Sequence, residues 1–408
     1  MSTSSIVTRG PKVRVIASAS TWIEGEALDQ LDAAARLPGM IEAVGMPDLH
    51  PGKGSPVGAA FLAEGMIHPA LVGTDIGCGM ALWRTDLDRR KARPDRLAPR
   101  LEGLDAPWDG DTAAWLAARG LAPTPHDAGL GTVGHGNHFA EIQVVEAVHD
   151  EAAFEGLGLS RTDVLLLVHS GSRGLGEAVL RVHAERFRAE GLAAGTPEAA
   201  AYLAAHDGAV AWARANRDLV AHRVLAALGA GGACLFDLCH NAVTPAGPCG
   251  CYLHRKGAAP ADRGPVVIPG SRGDVSILAE PVPDRADALW SLAHGAGRKL
   301  ARHEAKGKLR GRYRREDLTR NPWGGAVVCG DERLLWEEAP EAYKDATRVV
   351  GDLVEAGLVR VVAVLRPLVT FKCSTERGEA ARRDKRARLR ERGEARRAKH
   401  AGQRGDRP

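Results

Sequence analysis

Histidine beside glycine or asparagine is a pairing that packing alone seldom requires. In this chain of 408 residues it recurs at His138 in GHGNHFAE, His169 in VHSGSRG, His240 in LCHNAV and His294 in HGAGR. A further glycine-rich segment, GTDIGCGM, carries Asp75 and Cys78. A core histidine needs one or two hydrogen-bond partners, not flanking glycines that let main chain approach a ligand. A thiolate is soft and can bridge two metals, a carboxylate is hard and adds charge, and imidazole suits many transition metals. Asp75, Cys78, His138, His169 and His240 therefore read as a metal site. The Ser-Gly-Ser-Arg run after His169 is a place for main-chain amides that bind oxyanions, and Arg173 adds a bidentate phosphate donor. In HGAGR, the glycines and Arg298 look like a nucleotide-phosphate contact opening a helix. His294 itself could be a ligand, a general base or a nucleophile forming a phosphoramidate, and the residues leave those roles open. Cys234, Cys239, Cys249 and Cys251 are spaced C-x4-C-x9-C-x-C. That spacing fits no standard structural zinc finger, so they read as thiols.

The elements that must position these residues follow from periodicity. Residues 12–17 (KVRVIA) read as a strand, and 25–37 as an amphipathic helix with Ala27, Leu28, Leu31, Ala34 and Ala35 on one face. Residues 46–61 form a Gly/Pro-dense loop running into a strand. A helix is expected near 112–119, and VLLLVH at 164–169 is a buried strand. Residues 176–228 are helical, 231–278 are short strands with turns, and 284–306 read as a helix interrupted or started at HGAGR. The segment 342–358 is a helix closed by Gly357, and 359–372 is a strand that Pro367 breaks or edges. No fixed-period repeat appears, which excludes solenoids and propellers.

Size and charge narrow the class further. The length suffices for one large domain or two ordinary ones and for a core without disulfide staples. Residues 1–20 start polar and lack a signal-like apolar run, and no stretch approaches the roughly 20 apolar residues of a membrane span, so a reducing, cytoplasmic setting is expected. Residues 374–408 hold thirteen Arg/Lys against six Asp/Glu, a net of +7, which leaves −3 for the rest of a chain whose net charge is +4. Only the tail, not the body, has the charge to attract nucleic acid; it is either a solvated mixed-charge helix or an RNA-binding extension, disordered or helical.

Taken in order, MPDLHPGKG, GTDIGCGM, GNHFAE, HSGSRG, HNAV, HRKGA, IPGS, HGAGR and PEAYKD resemble the RtcB family of GTP- and manganese-dependent RNA ligases. The likeness runs from about residue 12 to 372. It implies an α+β fold: one domain over 1–373 with a central β-core, flanking helices and a deep metal-containing cleft. It implies that a histidine attacks the α-phosphate of GTP, that the guanylate passes to an RNA 3′-phosphate, and that a 5′-hydroxyl then displaces GMP. A 2′,3′-cyclic phosphate would first be hydrolysed. On that resemblance His294 is the nucleophile and Asp48 assists. Cys78, His138 and His169 would hold one manganese ion, and Asp75, Cys78 and His240 the other. Nucleotide contacts would fall on Asn137, His138, Phe139, Ala140, Glu141, His240, Asn241, Pro269, Gly270, Ser271, Arg272, Ser276, His294, Gly295, Ala296, Gly297 and Lys372, with Arg173 on RNA.

The chain departs from the family at Arg272 for Met, His135 for Gly, Leu292-Ala293 before the nucleophile, and Cys373 for the closing Gly. Arg272 would add charge beside the nucleotide or substrate phosphate. With the GHGNHFAE and IPGSRG wording, these departures resemble the release-factor-H-coupled branch, associated with repair of cleaved ribosomal RNA. A monomer without membrane contact is implied. Alternatives are a guanylyltransferase that caps 3′-phosphates without joining, a tRNA splicing or repair ligase, and a non-catalytic RNA-binding subunit. The full set Cys78, His138, His169, His240 and His294 argues against the last.

Overall fold

The computed structural model describes residues 6–187, 190–247 and 250–373. The basic tail and Cys249 lie outside the described residues. Two sheets carry the fold. The first runs Ile6–Gly10, Val13–Ile16, Met40–His50, Val57–Glu64, Cys251–Lys256, Asn241–Pro245 from edge to edge. The second, central sheet runs Gly232–Cys239, Gly79–Thr85, Val164–Ser170, Phe139–Val148, Val359–Cys373, Ser276–Pro281, Val266–Pro269. Ala326–Cys329 adds to it in parallel alongside Val359–Cys373. Pairing is otherwise antiparallel within this sheet, and helices flank it, so the architecture is α+β as expected. Val44, Met46 and Ala60 of the first sheet share a cluster with Ile268, Ile277 and Ala279 of the second, which joins the two into one domain. No helix among the described residues is long and apolar enough to cross a membrane.

The strand Val164–Ser170 shows how sequence places the site. All seven of its residues are buried. Side chains alternate between faces along a strand. Val164, Leu166 and Val168 pack with Val220, Val224 and Leu228 of the long helix Pro197–Leu228, while Leu165 and Leu167 pack with Val267, Leu278 and Leu365. By the same alternation His169 falls on the second face and Ser170 on the helix side. There Ser170 Oγ donates to the Val133 carbonyl and accepts from Asn216 Nδ2. The long helix is well bounded: Thr196 caps its start through the Ala199 amide, a proline follows, and Gly229 ends it in the left-handed region.

Three expectations need correction. Residues 46–50 are not loop but the end of strand Met40–His50. They are fully or nearly buried, and their register with Val57–Glu64 is interrupted between Gly45 and His50, a bulge that absorbs Pro47. The expected helix over 284–306 is reduced to a single 3-10 turn at Ala286–Ala288 and the first turn of a helix that starts only at Arg302, beyond HGAGR. Leu289 and Trp290 take left-handed backbone angles (φ 49° and 46°) and turn the chain into the strand Ser291–Ala293, and the next helix is Arg302–Leu309. Pro367 does not end its strand: Val359–Cys373 runs unbroken, with a register shift against Phe139–Val148 between Pro367 and Val369. The Pro367 carbonyl is still used, accepting from Asn321 Nδ2.

Candidate active site

Neighbouring strand ends deliver the metal-capable residues. Gly79 pairs with Ser170 and with Cys239, Met80 pairs with His169, and Phe139 pairs with His169. Cys78, His138 and His240, each one residue beyond one of these strands, are thereby drawn to His169. The His240 amide donates to the Cys78 carbonyl at 2.8 Å, and the Gly77 amide donates to that of Asn241 at 2.9 Å. Gly77 is left-handed (φ 79°), and a Cβ there would lie 2.7 Å from Ala213 Cβ, so the Asp75–Cys78 turn sits directly on the long helix.

The ligand atoms converge. Cys78 Sγ is 3.3 Å from Nε2 of both His138 and His169, and His169 Nε2 is 3.4 Å from His240 Nε2. His138 Nε2 is 2.8 Å from Asp75 Oδ2. They form two groups, Asp75–Cys78–His138 and Cys78–His169–His240. Cys78 is common to both, as the resemblance implies, but His138 and His240 are exchanged relative to the expected division. The distances divide them: His240 Nε2 lies 3.4 Å from His169 Nε2, and Asp75 Oδ2 lies 2.8 Å from His138 Nε2.

Electrostatics suit a cation. Burial, reinforced by the neighbouring histidines, holds His169 and His240 far below the usual imidazole range, so their ring nitrogens are neutral and ligand-ready. Burial opposes ionisation of Asp75, but His138, Cys78 and Arg173 outweigh it and keep the carboxyl low. Burial and Asp75 push the Cys78 thiol up; a cation between them would reverse that. Mixed N, O and S donors and converging lone pairs fit a transition metal in each group.

His294 adjoins this centre, its ring centroid 4.7 Å from that of His240. Its Nδ1 donates to Asp48 Oδ2 at 2.7 Å, and its main-chain amide approaches the same oxygen at 3.3 Å. Asp48 has no exposed surface. Its segment is held by Lys344 Nζ, which donates to the Pro47 and Leu49 carbonyls. Gly297 (φ 70°) lies over the Asp48 main chain, where a Cβ would come within 2.2 Å of its carbonyl oxygen. With Nδ1 committed to Asp48, the ring nitrogen of His294 left for a substrate is Nε2.

One cleft of about 1200 Å³ holds this machinery; its lining includes Asn137, Phe139, Asn241, Pro269, Gly270, Ser271, Gly295, Ala296, Gly297 and Lys372. Asn241 Oδ1 accepts from the Gly257 amide and its Nδ2 donates to the Asp75 carbonyl, which ties the loop beside His294 to the metal turn. Glu141 and Ser276 are linked through Gln143 Nε2, which donates 2.7 Å to each. Burial raises the Glu141 carboxyl to about 7. Lys372 Nζ donates to the His138 carbonyl at 3.0 Å. Cys373 faces Cys329, with the sulfurs 3.6 Å apart.

Other expected residues stand differently. The Ala140 side chain packs into the core with Val133 and Val168, away from the cleft. Arg272 reaches the cleft wall, but its guanidinium donates to the carbonyls of Leu318, Leu335 and Glu338, so it braces three segments rather than offering a free charge. Arg298 does not open a helix; it binds Glu338 and the Glu337 carbonyl, and stacks over Tyr343. Arg173 is left-handed (φ 57°) and lies against Gly134.

Sequence reading passed over several supports. Arg217, wholly buried in the long helix, donates to the carbonyls of Gly77 and Ser170 and to Asp237, and so fastens two ligand-bearing segments. An arginine among apolar helix positions was the available signal. Glu338, 2 % exposed, collects Arg298, Arg302 and Tyr343 and lies 4.0 Å from Lys372. Burial opposes its ionisation, yet those cations hold the carboxyl below its ordinary range.

Known proteins are similar to this chain in sequence. The family model described as tRNA-splicing ligase RtcB matches residues 30–116 and 112–373. RNA-splicing ligase RtcB2 of Escherichia coli is 48% identical over 367 residues, covering 89% of this chain and 96% of the relative. RNA-splicing ligase RtcB of Mycobacterium tuberculosis is 32% identical, covering 84% and 100%, and tRNA-splicing ligase RtcB of Archaeoglobus fulgidus is 30% identical, covering 86% and 92%. The extent of these matches, over the segments that build the cleft, makes the chain a member of the RtcB family.

Proposed function

We propose that this protein is an RNA ligase that joins a 3′-phosphate or 2′,3′-cyclic phosphate end to a 5′-hydroxyl end, using GTP and two manganese ions. The observation that carries the reading is the His294–Asp48 pair at 2.7 Å beside the two metal-capable groups. Asp48 holds the proton on Nδ1, so Nε2 attacks the α-phosphorus of GTP and pyrophosphate leaves. As the phosphoramidate forms, Asp48 stabilises the positive charge on the ring. A 2′,3′-cyclic end is first opened by water, which breaks the P–O2′ bond; an oxygen of the resulting RNA 3′-phosphate then takes the guanylate as the Nε2–P bond breaks. The 5′-hydroxyl attacks the activated 3′-phosphate, and GMP leaves with the P–O bond that breaks. Asp75–Cys78–His138 and Cys78–His169–His240 would hold the ions, which supply Lewis-acid stabilisation of phosphoryl charge. Lys372, in the cleft wall, is assigned to the guanine base, whereas Glu141 and Ser276 are buried and linked to each other through Gln143.

Incubation with manganese and GTP labelled at the α-phosphate should leave acid-labile label on the protein. Absence of label, or label surviving in His294→Ala, would overturn the reading. The GHGNHFAE and IPGSRG segments are the basis on which we place the chain in the repair branch, with ribosomal RNA as substrate and release factor H as partner in a cytoplasmic setting. Joining of cleaved ribosomal RNA should exceed joining of cleaved tRNA at equal concentration; the reverse would assign the chain to tRNA. The tail at 374–408 is proposed to add RNA affinity. Its removal should weaken RNA binding and flatten its salt dependence while sparing self-guanylylation.

A further inference from the structure

The cleft that holds His294 carries a tryptophan that nothing in the chemistry above uses. Trp22 is 53% exposed and lines the same cleft as His294, beside His50, Lys53 and Glu24. Leaving an indole half in water forfeits burial that a fold would ordinarily take. Its position is nevertheless firmly set. The neighbouring Thr21 hydroxyl donates to Asp352, a carboxylate with no exposed surface, and accepts from Arg348 Nε at 3.3 Å. Ser18 closes the turn, its Oγ 3.2 Å from that of Thr21. On the other side Gln30 grips Gly52 in both directions, Nε2 to the carbonyl at 3.1 Å and the amide to Oε1 at 3.0 Å, which fixes the loop bearing Lys53. Two separate networks thus hold the chain next to Trp22 and the loop that bears Lys53. Trp323, also exposed at 44%, does not line the cleft.

We infer that Trp22 is a stacking platform for an unpaired nucleobase of the RNA that enters this cleft. The inference rests on the ligase reading for the identity of the nucleic acid. An aromatic face accepts any base, whereas the phosphates need cations. Lys53 supplies one on the adjoining loop. Glu24 and Glu26, which share this wall, repel phosphate but accept hydrogen bonds from exocyclic amines, so the strand turns its base, not its backbone, toward Trp22. The platform would orient an end being joined and would favour junctions flanked by single-stranded nucleotides over fully paired ones.

Binding of a fluorescent single-stranded RNA with a 3′-phosphate, followed by anisotropy on the full chain, tests this without requiring ligation. W22A should weaken binding roughly five- to hundredfold, the range for loss of one base stack, and leave the salt slope unchanged. W22F should retain most of the affinity, and W323A all of it. K53A should lower the salt slope by about 1. Self-guanylylation should be equal in all four variants. A W22A loss below about threefold, or a W22F variant as weak as W22A, overturns the platform. If the wild-type protein binds the RNA but joins no ends, the ligase reading fails while the anisotropy result still decides the role of Trp22.

Discussion

Two sets of buried histidines can be compared in this molecule, and only one is suited to chemistry. His68, His183, His206 and His254 lie around the helices Gly174–Phe187 and Pro197–Leu228 and the strand Cys251–Lys256. Each has a ring nitrogen on main chain: His68 Nε2 on the Pro38 carbonyl, His183 Nε2 on that of Glu190, His206 Nε2 on the Val243 amide, and His254 Nε2 on the His68 amide. In the cleft, His138, His169 and His240 turn Nε2 toward one another and toward Cys78 instead. Burial is alike in the two sets. What separates them is whether the backbone already uses the nitrogen. A histidine engaged by main chain is structural, and one whose nitrogen meets other ligand atoms awaits a cation.

That contrast can be broken by substitution, beginning with the largest effect. Cys78→Ala removes the atom shared by both groups, so bound metal, read by mass spectrometry of the ion content, should fall to none and guanylylation should drop below detection. Retention of one ion per chain would show that the sulfur does not bridge. Asp48→Asn keeps the shape but no longer fixes the proton on Nδ1 of His294. Self-guanylylation should slow by about 10³- to 10⁴-fold, as for other histidines deprived of their carboxylate, while metal content stays at the wild-type level.

Smaller effects fall on the structural set. His206→Ala leaves the buried Val243 amide without its acceptor and should cost about 1–3 kcal/mol of stability in urea unfolding, with metal content unchanged. Loss of metal there would erase the distinction between the two sets. The smallest effect is in the pH dependence. Burial lowers His254 from an ordinary 6.5 to about 3. The unfolded chain therefore takes a proton that the folded one refuses, and stability is lost as pH falls from about 6.5 toward about 3. His254→Gln should make the urea midpoint fall less steeply between pH 7 and pH 5. An unchanged slope would mean that His254 titrates alike in both states.

The sequence announced the ligand types because glycine and asparagine flank them, and the strand 164–169 because its apolar run is unbroken. It did not announce how the ligands divide about Cys78. That division depends on which strand ends adjoin, through pairings such as Met80 with His169, and no local pattern encodes it. HGAGR resembles a helix start by its small residues, yet the left-handed turn at Leu289 and Trp290 decides the matter upstream. Arg272 looks like added charge until its three carbonyl partners, contributed by residues 318–338, are known. Arg217, Glu338 and Lys344 act through main chain or through other charges, and such roles leave little mark on spacing.

The metal-capable centre also has a consequence for the order of events during biogenesis. Cys78 meets partners 60 and 91 residues away, and His169 meets His240 across 71. No short segment of the nascent chain contains even one complete three-ligand group. The strands that carry them are joined by connections that contain helices, and these must close before the ligands can meet. Capture of a cation at this centre would therefore come after sheet assembly, because before that point the chain has no complete ligand group.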